Sequence, residues 1–203
     1  KTLRNKFGVV ISASHNDFLD NGIKIFNDNG EKISRDIEKR IEKYISSDLI
    51  PVQTSEIGKA YRFDESGPRY IEFCKSTVPS DISFSSLRIV LDCANGACYK
   101  VSPEIFEELG AEVITLGNNP DGYNINQGCG STHPELIQEE VIKHRADYGI
   151  SLDGDGDRVI LVDEKGNILD GDDLLYILAF SNPNRTGPWS GVVGTLMSNL
   201  GLE

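Results

Sequence analysis

Long apolar runs are missing from this 203-residue chain. None approaches the roughly 20 consecutive residues that a membrane-crossing helix needs, and no secretory leader is read at its start. Tryptophan and methionine occur once each, and low-complexity tracts are absent. With 38% hydrophobic residues spread along the chain, intrinsic disorder does not fit, and the length suits one or two folded domains. Cysteine is sparse. Cys74, Cys93, Cys98 and Cys129 follow no zinc-binding spacing and read as reduced thiols of an intracellular protein. A cytoplasmic location follows, and the sequon Asn184-Arg185-Thr186 is then irrelevant. Positive charge is also short, with 20 Lys and Arg against 32 Asp and Glu, a net of −12. A surface this acidic makes nucleic acid and anionic membranes poor partners. It sits awkwardly with phosphate chemistry unless a metal supplies the charge.

What is present is a regular order of elements. Phe7–Ile11 reads as a strand running into a polar loop, and Gly22–Phe26 as a strand meeting the turn Asn27–Gly30 of a hairpin. Asp36–Ile45 sets Ile37, Ile41, Tyr44 and Ile45 on one helical face, and a second helix opens at Pro68–Cys74. The serine-rich stretch Pro79–Ser86 reads as a linker. Strands are then expected at Leu87–Leu91, Glu112–Leu116 and Tyr148–Leu152. They alternate with helices at Pro103–Leu109 and from Pro134 to near Arg145, the latter capped by Ser131 or Thr132. That alternation is the pattern of a parallel α/β domain. A hairpin (Val159–Val162, Asn167–Leu169), a helix at Asp172–Phe180, a linker at Ser181–Ser190 and a strand at Gly191–Leu196 complete the expectation. Both ends read as cut from something longer.

The sharpest chemical signal is Asp153-Gly154-Asp155-Gly156-Asp157-Arg158. Three carboxylates alternate with glycines directly after a strand, and the glycines allow the backbone to curl so that all three face one point. Such carboxylates repel one another unless a hard cation sits among them; a solvated acidic turn is the plainer alternative. A calcium-binding EF-hand also begins with alternating aspartates, and Glu164 even falls at its last ligand position. Its obligatory glycine is replaced by Arg158, however, and the flanks read as strands rather than helices, so that reading is rejected. The second signal, Ser12-Ala13-Ser14-His15-Asn16, places a serine in a loop after a strand. Alone, it would be no more than a polar turn, although a loop serine can carry a phosphoryl group.

Together, Ser-Ala-Ser-His-Asn, the following Asn21-Gly22-Ile23-Lys24 and the distant Asp-Gly-Asp-Gly-Asp-Arg resemble the α-D-phosphohexomutase superfamily. The closer likeness is to its bacterial glucosamine-phosphate branch. It rests on Ser12 (commonly Thr in the phosphomannomutase/phosphoglucomutase branch), Asp92–Ala97, Gly130-Ser131-Thr132 and Val193–Asn199. The resemblance implies mixed α/β/α sandwich domains. Residues 1–64 would be the later part of domain 1, 65–170 domain 2, and 171–203 the start of domain 3. It implies that Ser14 is phosphorylated in the active state, and that Asp153, Asp155 and Asp157 hold Mg²⁺ together with a phosphoryl oxygen on Ser14. His15, Lys24 and Arg158 would then surround the transferring group. Lys24 is a candidate acid/base, against the plainer reading of an exposed strand lysine. His133 and His144 are read instead as a helix start and a helix surface. The implied reaction interconverts glucosamine 6-phosphate and glucosamine 1-phosphate through a bisphosphorylated sugar, on the way to UDP-N-acetylglucosamine and the cell wall. Its expected partner is a phosphorylated hexosamine, with a homodimer left open. Alternatives are a phosphomannomutase/phosphoglucomutase, or a non-catalytic metal- or phosphate-binding relative.

Two departures stand out. Asp17 occupies a position usually held by Pro, which removes a backbone restraint and adds an anion beside the loop. The beginning of domain 1, the superfamily's sugar-recognition loop and its second phosphate-binding loop have no counterpart in these 203 residues. By themselves these residues are therefore expected to bind Mg²⁺ weakly and not to turn over substrate.

Overall fold

The structure, a computed structural model, describes residues 5–48, 50–180, 192–199 and 201. The chain folds as two units, the first made of residues 1–12 and 21–66 and the second of residues 13–20 and 67–203.

In the first unit, β1 (Phe7–Ser12) and β2 (Gly22–Asn27) pair antiparallel, Phe7 opposite Asn27 and Ser12 opposite Gly22. The turn beyond β2 is closed by the Asn27 carboxamide, whose Oδ1 accepts the amides of Asn29 and Glu31, with Gly30 at φ 77°. The hairpin expected there shrinks to a single bridge, Phe26 to Lys32. After Ile33 the chain turns at once into α1 (Arg35–Ile45), leaving no second strand to pair. Ile41 and Ile45 line a groove of about 340 Å³ with Ile23, Ile25 and Ile33.

In the second unit, α2 (Ser66–Lys75) begins at the boundary. A five-stranded sheet follows, with β3 (Arg88–Asp92), β4 (Glu112–Leu116), β5 (Tyr148–Leu152), β6 (Val159–Asp163) and β7 (Ile168–Leu169) in the order β4-β3-β5-β6-β7. The first three strands are parallel, as the alternation of strands and helices foretold; β6 and β7 add antiparallel at one edge. Central parallel strands are covered on both faces, which explains the continuous apolar run Ile89-Val90-Leu91. α3 (Val101–Glu108) ends before Gly110, whose φ of 102° only glycine adopts comfortably. α4 (Pro134–His144) packs Ile137 and Val141 against Val90, Ala146 and Val162. α5 (Gly171–Phe180) follows the sheet.

Two expectations are corrected. Neither Ser131 nor Thr132 caps α4: His133 stands at the N-cap without a side-chain cap bond. The Ser131 amide is instead drawn to the Leu152 carbonyl at 2.9 Å, which ties that segment to the end of β5. Residues 192–196 form no strand, since no neighbouring strand offers them a ladder among the described residues. The linker expected at Ser181–Ser190, with its sequon, lies outside the described residues. No helix among the described residues is long and apolar enough to cross a membrane.

Candidate active site

The parallel strands β3 and β5 end side by side, and the loops leaving their carboxyl ends build the site, the usual location for ligands on such sheets. The loop from β5 to β6 curls tightly: the Gly156 amide donates to the Asp153 carbonyl at 3.0 Å, with Gly156 at φ 72°. Asp153 is fully buried. Its Oδ1 accepts the amides of Asp157 (3.1 Å) and Arg158 (3.2 Å), so one oxygen shapes the loop. Its Oδ2 is also buried and finds no hydrogen-bond partner among the described residues. Burial pushes the Asp153 carboxyl above its ordinary range, and the charges of Asp155 and Asp157 push the same way, against the amide and guanidinium of Arg158. Asp153, Asp155 and Asp157 each present an oxygen within 4.8 Å of the others. Arg158 Nε lies 3.9 Å from both Asp153 Oδ2 and Asp157 Oδ1, near enough to offset charge but too far for a hydrogen bond. A buried, unpaired carboxylate oxygen facing two further carboxylates fits a hard divalent cation. The strands on either side, β5 and β6, agree with the rejection of an EF-hand.

The loop after β3 is the shelf beneath. Fully buried Asp92 accepts the Ala94 amide on Oδ1 (2.9 Å) and the Gly130 amide on Oδ2 (2.6 Å). Ala97 donates to the Gly154 carbonyl at 2.8 Å, and a Cβ on Gly96 would stand 2.3 Å from that same oxygen. Only glycine permits this approach.

Ser14 is delivered to the same place. Residues 13–20 pack with the second unit, and Ser14 takes a left-handed backbone, φ 53°. Its hydroxyl donates to Asp155 Oδ1 at 3.2 Å. A non-glycine residue in this region is strained and must be held by its surroundings. The Asn16 amide closes the turn on the Ala13 carbonyl (3.0 Å), and Ala13 is buried. His15 has a buried Nδ1 that finds no partner among the described residues. Asp17, in place of the usual Pro, restores some restraint through its own side chain: Oδ1 accepts the Leu19 amide at 2.8 Å and starts the short 3₁₀ turn Phe18–Asp20.

The sequence-derived residues thus divide. Ser14, His15, Asp153, Asp155, Asp157 and Arg158 all belong to the second unit, where the Ser14 hydroxyl meets the aspartates. Lys24 lies in the first unit, on β2 opposite Val10. His133 and His144 stand at the N-cap and the last residue of α4, where His144 pairs with Glu140. All four cysteines are free. Asp92 and Asn126 went unsingled as individual residues. Asn126 is 6% exposed at φ 56°, and its Nδ2 donates to the carbonyls of Ser14 (2.8 Å) and Asn16 (2.7 Å). Nothing in its local sequence, a Gly/Asn-rich loop, marks it.

Comparison with known proteins keeps residues 13–20 with the first part of the chain rather than with the second unit. The model of phosphoglucomutase/phosphomannomutase α/β/α domain I matches residues 1–49, and that of domain II matches residues 68–166. A Legionella pneumophila (strain Lens) protein named phosphoglucosamine mutase is 56% identical over 203 residues, covering 100% of this chain and 45% of that protein. The chain therefore spans about half the length of the curated relatives it matches. Among solved structures, a phosphoglucomutase/phosphomannomutase family protein from Burkholderia thailandensis is 27% identical with a TM-score of 0.65, over 85% of this chain and 37% of that one. An Aspergillus fumigatus N-acetylphosphoglucosamine mutase, solved with GlcNAc-6P and magnesium, shares the fold at 20% identity and a TM-score of 0.52, over 85% of this chain and 47% of that one.

Proposed function

The chain belongs to the phosphoglucomutase/phosphomannomutase family, and we propose that it is the phosphoryl-transfer portion of a cytoplasmic phosphoglucosamine mutase. One observation carries the reading: the Ser14 hydroxyl meets Asp155 at the edge of a three-carboxylate cluster that has a buried oxygen to spare. The amino-sugar assignment is supported by the relatives' name at 56% identity across the whole chain.

On this reading Ser14 carries the phosphoryl group. The bond from phosphorus to the Ser14 oxygen breaks as a bond forms to a hydroxyl of glucosamine 6-phosphate, and the hydroxyl's proton passes to a base, for which Lys24 and His15 are the candidates. The resulting bisphosphate returns its other phosphoryl to Ser14 and leaves as glucosamine 1-phosphate. Asp153, Asp155 and Asp157 would hold Mg²⁺, which when bound supplies Lewis-acid neutralisation of charge on the phosphoryl oxygens. Arg158, beside Asp153 and Asp157, adds a fixed cation to the same place. Residues 1–64, 65–170 and 171–203 are assigned to domains 1, 2 and the start of 3 of the longer enzyme.

The test is a comparison of glucosamine 6-phosphate, glucose 6-phosphate and mannose 6-phosphate as substrates of the full-length protein. Preference for the amino sugar is expected. Faster turnover of either neutral sugar would reassign the specificity, and no turnover of any of the three would sink the mutase reading.

A further inference from the structure

The loop joining β4 to α4 grips the Ser14 turn through Asn126. Its carboxamide nitrogen donates to two backbone carbonyls, those of Ser14 (2.8 Å) and Asn16 (2.7 Å). Because both partners are acceptors, the nitrogen end of the amide is fixed by chemistry. One side chain therefore spans the turn in which Ser14 holds φ 53°. Asn126 is itself anchored, its own amide donating to the Ala94 carbonyl at 2.8 Å. The Ser14 carbonyl is pressed close to the aspartate loop: a Cβ on Gly154 would lie 2.3 Å from it and 2.9 Å from Asn126 Nδ2. The Ser14 carbonyl, the Asn126 amide and the Gly154 backbone thus meet at one point.

Other contacts also hold the β4–α4 loop. Phe18 and Tyr123 meet edge to face at 5.2 Å between centroids, and Asp92 ties Gly130, at the far end of the loop, to Ala94. Neither provides what Asn126 does, a pair of buried donors aimed at the strained turn. Replacing donors by acceptors would leave two carbonyls facing an oxygen, and misplacing a reacting group by about 1 Å can cost about a hundredfold in rate.

We propose that Asn126 is a positioning residue for phosphoryl transfer: it sets where the Ser14 oxygen sits relative to Asp155 and the aspartate cluster. The proposal rests on the reading of Ser14 as the phosphoryl carrier.

The test uses the full-length protein with Asn126→Asp and Asn126→Gly. Both tolerate the positive φ; the first keeps the shape but not the donors, and the second removes the side chain. Three quantities are read: kcat and KM for glucosamine 6-phosphate with Mg²⁺, the melting temperature, and deuterium uptake by the amides of residues 13–17. Expected are a fall in kcat of about ten- to a hundredfold with KM close to the unmodified value, and faster exchange in that segment. Unchanged kcat in both variants would overturn the proposal, as would losses that merely track unfolding in both. An unmodified protein that turns over no hexosamine phosphate would sink the proposed function instead. Exchange at residues 13–17 would then decide the inference alone: faster in the variants, Asn126 holds the loop; unchanged, it does not.

Discussion

The Ser14 hydroxyl donates to Asp155 Oδ1 at 3.2 Å across 141 positions of sequence. A serine held by a carboxylate of an acidic cluster is an odd pairing if the cluster is merely a surface turn. It is an ordered one if a cation is to sit between a modified serine and those carboxylates.

Metal should stabilise the fold. Asp153 is buried with its carboxyl pushed up by desolvation and by its neighbours, so the cation-free site opposes folding at neutral pH. Added Mg²⁺ should raise the melting temperature with the logarithm of its concentration, by the equivalent of about 2.7 kcal/mol at a hundred times Kd. A melting curve insensitive to Mg²⁺ and to chelation would contradict this.

Asp153→Asn separates binding from folding. The Asn oxygen can still accept the amides of Asp157 and Arg158, while the buried charge disappears. Calorimetry should show Mg²⁺ affinity reduced at least about tenfold, with the metal-free melting temperature unchanged or raised.

Two glycines offer a paired control. A Cβ at Gly149 would meet Val141 at 2.6 Å and Ile137 at 2.9 Å, in the core under α4. Gly149→Ala should destabilise by about 1–3 kcal/mol, and the folded fraction should bind metal normally. At Gly154 a Cβ would meet the Ser14 carbonyl at 2.3 Å, so Gly154→Ala should weaken metal binding and activity beyond its effect on melting. Equal ratios of the two losses in both variants would contradict the account.

The cores of these loops hold two thiols that should stay silent. Burial pushes Cys93 up to about 12 and Cys129 up to about 11, each also raised by the charge of Asp92. In the native protein at pH 8 neither should react with iodoacetamide, and both should once denaturant is added. The sign for stability follows: the folded state keeps protons that unfolded thiols lose from about pH 9 upward, so stability present below that range is lost as pH climbs toward the folded values. Denaturant midpoints measured between neutral and alkaline pH should fall in that direction.

Strand boundaries were legible because each is written locally. The apolar runs at 87–91, 112–116 and 148–152 became β3, β4 and β5 within one residue. So was the aspartate loop, whose clustered carboxylates are two residues apart in sequence. The α4 cap was misread because Ser131 answers to Leu152, a distant strand end, rather than to its own helix. Asn126 escaped for the same reason: its partners lie 112 and 110 positions away, and no local pattern announces such a contact. Of the strand expected over residues 191–196, the described part, 192–196, does not form, because a strand is a property of two chain segments, not one.

The most direct measurement is the location and fate of phosphate on the full-length protein. Peptide mass spectrometry should find one phosphate on Ser14, and an isotopically labelled phosphoryl placed there should appear on the sugar when glucosamine 6-phosphate and Mg²⁺ are added but stay on Ser14 when Asp155 is replaced by Asn. Phosphate found on another residue, or a labelled phosphoryl on Ser14 that never passes to the sugar, would contradict the account.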